Sequence, residues 1–284
     1  MPRTATRWSR FVDLIVGGTR IRPEAVKVPL QITALFWAIK IISTAMGEAL
    51  ADWLDGDPDL VVAALGGLLA LVGLIVALRL QFRTTRYTAS VYWFAVAMVA
   101  TFGTMAADAL HQFLALPYWA TTAGYAAVLV AVFYRWRAVE GTLSIHSIDT
   151  RSRETFYWAT VLATFALGTA AGDWTAGDLG LKYLPSGLLF AAIILVPAAG
   201  RMLGANPVAM FWFAYVITRP LGASFADWAD SAPHRDGLGI AHAWVWGSLA
   251  VVMAGLVAVS VTIDRRRDRA SVPSLQPLGA PTIS

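Results

Sequence analysis

The chain has 284 residues, of which 57% are hydrophobic and only 14% are charged, against about 25% charged residues in a typical soluble domain. These values exclude a disordered chain, a DNA-binding domain and an ordinary cytosolic enzyme. The chain has no cysteine, which excludes disulfides, thiolate metal sites and a cysteine nucleophile. The net charge of +4 does not indicate nucleic acid, because the basic residues lie between apolar runs, as they do in the loops of membrane proteins.

Eight apolar stretches follow a basic arm at residues 1–29, and each is long enough to cross a hydrocarbon core of about 30 Å as a helix. They lie at 30–54, 60–78, 87–110, 118–134, 155–175, 183–200, 207–228 and 238–263. The sequence therefore predicts an all-α, polytopic bundle of eight transmembrane helices in a membrane domain at 30–263. Residues 264–284 form a cytoplasmic tail that is basic at first and then rich in Pro and Ser, and we expect it to be disordered from Ser271.

The basic residues also predict the orientation of the bundle. Most of the 22 Lys and Arg residues fall in the arm, in the tail and in every second loop. The other loops contain Lys182 and Arg235 and are otherwise acidic. Basic loops stay in the cytoplasm under the positive-inside rule. We therefore expect cytoplasmic N- and C-termini and a multi-pass location in a bacterial cytoplasmic (inner) membrane, with the lipid bilayer as the first partner.

The odd-numbered stretches share a motif, in which an aromatic residue and Trp are followed by Gly ten positions after the Trp and by Asp five positions after the Gly. The four copies are Trp37, Gly47 and Asp52; Trp93, Gly103 and Asp108; Trp158, Gly168 and Asp173; and Trp212, Gly222 and Asp227. Four copies among twelve Trp residues exceed chance. Each motif stretch precedes a stretch without the motif, so the unit is two helices repeated in the same orientation, at about 30–80, 87–137, 153–201 and 207–263. Such parallel repeats allow a pseudo-fourfold ring or two pairs related about the membrane normal.

On these residues the chain resembles a family of bacterial integral membrane proteins, uncharacterised and of a membrane-anchored type, built from four tandem copies of a two-helix repeat of unknown function. The first repeat, FWAIKIISTAMGEALADWL at 36–54, is similar to that family's repeat, which is marked by a Trp and a Thr/Gly/acidic segment. The resemblance covers about residues 28–263. It implies four repeats and eight spans, and it implies no activity and no catalytic residue.

The motif residues predict two kinds of role. We expect the Gly residues to permit close helix packing and the Trp residues to pack between repeats, with a partner for each indole N–H. The four Asp residues lie near the outer ends of their helices. They are either separately solvated carboxylates at the membrane interface or a converging ring of the kind that selects cations.

Charges inside the membrane break the symmetry between the repeats. Lys40, Thr44 and Glu48 form one polar stripe in the first repeat, and the fourth repeat carries Arg219 directly before Pro220. In a structural interpretation, Lys40 and Arg219 neutralise Glu48 and an Asp across the bundle. In a functional interpretation they form an asymmetric site or proton relay, beside a break that Pro220 makes in the seventh span.

Some of the same side chains are candidate metal ligands. His111 lies three residues after Asp108 on one helix face, where the two side chains are able to share a metal ion. The candidate ligands are Asp52, Asp108, His111, Asp173 and Asp227. Hard oxygen donors suit Mg²⁺, Ca²⁺, Mn²⁺ or protons. We expect no resident cofactor, because a divalent cation bound here would be a substrate.

These features favour a transporter or channel for a small solute. The favoured solute is a cation, which crosses alone or in exchange for protons. The pathway would contain Lys40, Thr44, Glu48, Asp52, Asp108, Asp173, Arg219 and Asp227. The alternative is a non-catalytic membrane anchor or regulatory protein that binds a partner through its basic cytoplasmic face. An intramembrane enzyme is the least supported class, because the sequence has no catalytic motif. Each interpretation is compatible with a homo-oligomer.

Overall fold

The computed structural model of this protein describes residues 26–29, 31–56 and 59–271. Regular structure in these residues is entirely helical. The helices are α1 (Ala34–Asp55), α2 (Leu60–Arg83), α3 (Ala89–Leu114), α4 (Tyr118–Glu140), α5 (Arg151–Asp173), α6 (Tyr183–Met202), α7 (Pro207–Asp230) and α8 (His242–Ser271). Each helix coincides with one predicted stretch, so the all-α prediction is confirmed.

One helix boundary differs from the prediction in an informative way. Helix α8 continues to Ser271, well past the predicted end at 263, because the first proline after it is Pro273. The part of the predicted tail from 264 to 271 is therefore helical. The rest of the tail, and the basic arm before residue 26, lie outside the described residues.

Six of the eight helices are long and apolar enough to cross a membrane: α1, α2, α3, α6, α7 and α8. Helices α4 and α5 are of similar length, but they carry charges at the loop that joins them. Arg135, Arg137 and Glu140 end α4, and Arg151 and Arg153 begin α5. The chain is a multi-pass helical membrane protein.

The four motif helices form a closed ring. Helix α1 packs on α3, α3 on α5, α5 on α7, and α7 returns to α1. Contacts join residues at matching distances from the motif Trp, as when the ring of Phe36 lies 5.5 Å from that of Trp93. The four helices are therefore parallel and in register, and of the two predicted arrangements the structure has the pseudo-fourfold ring.

The even-numbered helices surround this ring. Helix α2 packs mainly on α3, α4 on α5, α6 on α7 and α8 on α1, so each binds the motif helix of the next repeat more than that of its own. In the most apolar stretch of α3, 67% of the residues are buried, against 6% in α8. The outer helices thus present apolar side chains to lipid, while the ring forms the core.

Short local signals set the helix ends. The side chains of Thr33, Asp59, Thr150 and Asn206 accept hydrogen bonds from backbone N–H groups in the first turns of α1, α2, α5 and α7. Helix α6 consists of two helical segments, Tyr183–Ile193 and Leu195–Met202. Helix α7 runs through Pro220 without interruption, so the predicted break in the seventh span is absent.

The last residues of the predicted cytoplasmic arm pack under the ring. The backbone N–H of Lys27 donates to the carbonyl of Ile148 at 3.1 Å, and its ammonium lies 2.8 Å from Glu154. Glu154 is fully buried and also accepts a hydrogen bond from Gln81 at 3.2 Å. This ion pair therefore ties residue 27 to the start of α5.

Candidate functional site

The axis of the ring is filled by three layers of side chains. They come from positions three, seven and eleven after each motif Trp, and all twelve residues are buried. The first layer contains Lys40, Val96, Val161 and Tyr215; the second Thr44, Ala100, Phe165 and Arg219; the third Glu48, Thr104, Thr169 and Ala223. The charged residues of the predicted polar stripe thus lie on the common axis of all four repeats.

Arg219 and Glu48 form a buried ion pair at the centre of the third layer. One nitrogen of the guanidinium group, Nη2, contacts Glu48 of α1 and Thr104 of α3, and it donates to the hydroxyl of Thr169 of α5 at 2.7 Å. The other terminal nitrogen, Nη1, lies 3.3 Å from the carbonyl oxygen of Thr44. One side chain of α7 therefore reaches all three other motif helices.

Threonine hydroxyl groups complete the environment of Glu48. Thr104 donates to Glu48 Oε2 at 2.8 Å, and Thr169 lies 3.4 Å from the same oxygen. Burying two charges is unfavourable unless they are paired and hydrogen-bonded, and both conditions are met here. Sequence analysis placed Thr44, Glu48 and Arg219 on the pathway, but it gave Thr104 and Thr169 no role. The signal that identifies them is their position. Each lies eleven residues after its motif Trp, as Glu48 does.

Lys40 is placed differently from the structural interpretation of the sequence. Its ammonium is buried without a hydrogen-bond partner and lies 4.4 Å from the ring centroids of Phe165 and Tyr215. Aromatic faces attract cations of this kind. Within the described residues Lys40 pairs with no carboxylate, so the structural interpretation is right about the contact of Arg219 with Glu48 and wrong for Lys40.

The motif glycines lie where neighbouring ring helices approach most closely. A Cβ on Gly168 would lie 2.5 Å from Cβ of Arg219, and one on Gly103 would lie 2.7 Å from Cβ of Phe165. Gly47 contacts Ala100 in the same way, and Gly222 contacts Thr44. Each Gly therefore leaves room for the axial residue seven positions after the Trp of the next repeat, which brings that residue close to the axis.

An aromatic layer closes the end of the axis at which the ring helices have their N-termini. Phe36 and Phe211 have ring centroids 6.2 Å apart, and the hydroxyl groups of Tyr92 and Tyr157 lie 2.5 Å apart. The four motif Trp residues, Trp37, Trp93, Trp158 and Trp212, pack beside these rings between adjacent repeats. The indole N–H of Trp212 donates to the carbonyl of Leu143 at 2.9 Å. That of Trp158 is buried without a partner.

The four motif aspartates surround the end of the axis at which the ring helices have their C-termini. Electrostatic interactions link Asp52 to Asp108, Asp108 to Asp173, and Asp227 to both Asp173 and Asp52. Glu48 acts on all four from below. Asp227 is buried and the other three are half-buried. The four carboxylates therefore lie at one end of the axial ion pair, and neighbouring members act on one another electrostatically. We call them the carboxylate ring.

A pocket of about 420 Å³ opens onto this ring beside Asp173. Its lining includes Tyr118, Lys182, Tyr183 and Asp236, and Lys182 and Asp236 form an ion pair at its edge. The pocket leaves Asp173, one member of the carboxylate ring, open to the protein surface.

His111, predicted to share a metal ion with Asp108, has other partners at one ring nitrogen and at the face of its ring. His111 Nδ1 lies 2.6 Å from the carbonyl oxygen of Leu116, and the imidazole stacks on Tyr118 with centroids 3.8 Å apart. In the part of the chain that the structure describes, His, Asp and Glu ligand atoms come within 4.8 Å of one another in a group of three at Asp52, Asp230 and His242. Sequence analysis missed Asp230 and His242 as site residues. The signal for Asp230 is its spacing within the repeat. It follows Asp227 by three residues, as Asp55 follows Asp52.

A family model described as "Repeat of Unknown Function (DUF347)" matches the chain four times, at 35–87, 91–142, 156–203 and 210–266. The chain belongs to this family. Each DUF347 match begins two residues before a motif Trp and covers one ring helix with most or all of the outer helix that follows it. The resemblance found from the sequence is therefore confirmed, as is the prediction of four tandem two-helix repeats. Comparisons with the curated proteins and with the solved structures found no match.

Proposed function

We propose that this DUF347 protein is a transporter for a small cation, coupled to protons or carrying a divalent metal ion. In this proposal all eight helices cross a bacterial cytoplasmic membrane, with both termini in the cytoplasm. The carboxylate ring of Asp52, Asp108, Asp173 and Asp227 collects the cation from outside. Glu48 is the inner binding group, and no step is catalytic.

The observation that carries the proposal is the buried Glu48–Arg219 pair directly beneath the carboxylate ring. Ionisable groups inside a membrane are costly and commonly mark ion pathways. The carboxyl groups at this end of the axis outnumber the cations Arg219 and Lys40, so cations or protons are needed to balance the charge. The ring therefore supplies both an attraction for cations and a place to hold them.

The filled axis supports a carrier rather than an open channel. Lys40, Arg219 and the aromatic layer occupy the path between the carboxylate ring and the inner end. A cation, or a proton on Glu48, would compete with Arg219 for the same carboxylate oxygen. Release of Arg219 from Glu48 would then be the step that opens the axis, and re-pairing would close it.

The alternative function is the non-catalytic anchor or regulatory protein. It is supported by the dense packing of the axis and by a groove of about 830 Å³ at the inner end. Arg86 and Arg265 belong to the lining of this groove, beside the apolar rings of Phe36 and Trp93. A partner bound at this face would leave the carboxylate ring without a function.

Flux measurements in proteoliposomes separate the two functions. The purified protein is reconstituted, and uptake of Mn²⁺, Mg²⁺, Ca²⁺ and protons is followed with internal dyes. We expect E48Q and D108N to lower the flux at least about tenfold, since each removes a charge that binds the cation. D178N is the matched control, because Asp178 is an exposed outer carboxylate apart from the ring. Wild-type flux in E48Q and D108N, or no flux above empty vesicles for the wild type, would refute transport.

A further inference from the structure

A second group of polar side chains lies at the outer end of the bundle, where the first and fourth repeats meet. Asp52 lies in the last turn of α1, Asp230 is the last residue of α7, and His242 is the first residue of α8. One potential ligand atom from each lies within 4.8 Å of the other two. Three separate helices therefore direct two carboxylates and one imidazole to a common point.

Two of these atoms are buried without a hydrogen bond. The side chain of Asp230 is only 2% exposed, and its Oδ2 lies 3.0 Å from Nδ1 of His242. The two atoms face each other as an ion-pair contact, and neither has a further hydrogen-bond partner. Buried polar atoms of this kind are rare in folded proteins and need an explanation. A cation that accepts a lone pair from each atom would provide it.

The donor set fits a first-row transition metal. Imidazole nitrogen suits Zn²⁺ and its neighbours, and carboxylate oxygen binds Zn²⁺ at about 2.0–2.2 Å. Tetrahedral geometry at such distances places ligand atoms about 3.4 Å apart, so a small inward movement of the three side chains would complete the site. The imidazole is 42% exposed, which leaves a coordination position open to water and gives the ion a route to the site.

We propose that Asp52, Asp230 and His242 bind one divalent transition-metal ion, for which Zn²⁺ is the probe. The bound ion joins the start of α8 to the ends of α1 and α7, and so it closes the ring of repeats at its outer end. This set differs from the predicted ligands, which included His111 and omitted Asp230 and His242. The site shares Asp52 with the proposed transport pathway, but the proposal does not rest on transport, because Asp230 and His242 lie outside that pathway.

Equilibrium binding to the full-length protein without an affinity tag tests the site. Zn²⁺ is titrated into detergent-solubilised protein by calorimetry, and Co²⁺ absorption reports the coordination. We expect one ion per chain, with a Kd at least about tenfold weaker in H242N and in D230N. H234A is the matched control, because His234 is an exposed histidine in an outer loop outside the group, and we expect wild-type binding for it.

A thermal measurement gives a second readout. Zn²⁺ should raise the Tm of the wild type, H234A and E48Q, because a ligand that binds only the folded state stabilises it, and it should not raise that of H242N. Binding that persists in E48Q while flux is lost would support the metal site and the proposed transport separately. The site is overturned if the wild type binds no Zn²⁺ up to about 1 mM, or if H242N and D230N bind it as the wild type does.

Discussion

Replacing Arg219 by Met tests the role of the axial ion pair in stability. Glu48 is 3% exposed and Arg219 is fully buried, so R219M leaves a buried carboxylate without its cation. Removal of one partner from a buried pair costs about 3–5 kcal/mol. Thr104 and Thr169 remain within hydrogen-bond distance of Glu48, so we expect the lower end of this range, about 3 kcal/mol.

The double variant E48M/R219M distinguishes pairing from simple loss of packing. Replacing both partners by apolar side chains of similar length is often neutral or stabilising. We therefore expect the double variant to recover most of the stability that E48M or R219M loses alone. The free energy of unfolding is measured by SDS titration in mixed micelles, with the fluorescence of the twelve Trp residues as the signal.

The outcome that would contradict this reasoning is additivity. If the losses of the two single variants add in the double variant to within about 0.5 kcal/mol, the two side chains do not interact energetically. A loss below about 1 kcal/mol for R219M would equally show that Glu48 is not a buried charge in need of a cation.

Two further stability predictions follow from the packing, each read from the Tm in detergent micelles. Gly168→Ala places a Cβ against Arg219, so we expect a loss of about 1–3 kcal/mol. Gly124→Ala, which meets no atom within 4 Å, should be neutral, and equal Tm values for the two variants would contradict close packing at Gly168. Lys27→Met removes the cation beside the fully buried Glu154, and we expect a loss of about 3 kcal/mol. An unchanged Tm would mean that this inner ion pair does not hold residue 27 in place.

The architecture could be read from the sequence because its signals are local. Apolar runs of sufficient length mark the helices, and the Trp, Gly and Asp spacing marks the repeat without any knowledge of contacts. The same spacing put Lys40 and Glu48 on one helix face and Arg219 at an equivalent position of the fourth repeat, since positions three, seven and eleven after the Trp share one face. What recurs along the chain is therefore predictable.

The pairing of these charges was not predictable, because it depends on which helices are neighbours. Lys40 and Arg219 were equal candidates for Glu48 in the sequence. The cyclic order brings Arg219 beside Glu48, and it leaves Lys40 between Phe165 and Tyr215. His242 and Asp230 meet Asp52 for the same reason, because α8 packs on α1 only when the fourth repeat closes the ring on the first.

The ring combines a symmetric frame with an asymmetric interior, and the two have different physical causes. Every repeat needs its Gly, because each ring helix approaches the next at the same depth. The axis has no such requirement, since four identical charges in one layer would repel each other at close range. Charges are therefore tolerated when different repeats supply opposite signs.

The four repeats supply different groups to this ion pair. The first repeat supplies Glu48 and the fourth supplies Arg219. The second and third supply Thr104 and Thr169, whose neutral hydroxyl groups bind both charged side chains. Divergence of the repeats at positions seven and eleven is thus the condition under which a fourfold ring can hold one ion pair.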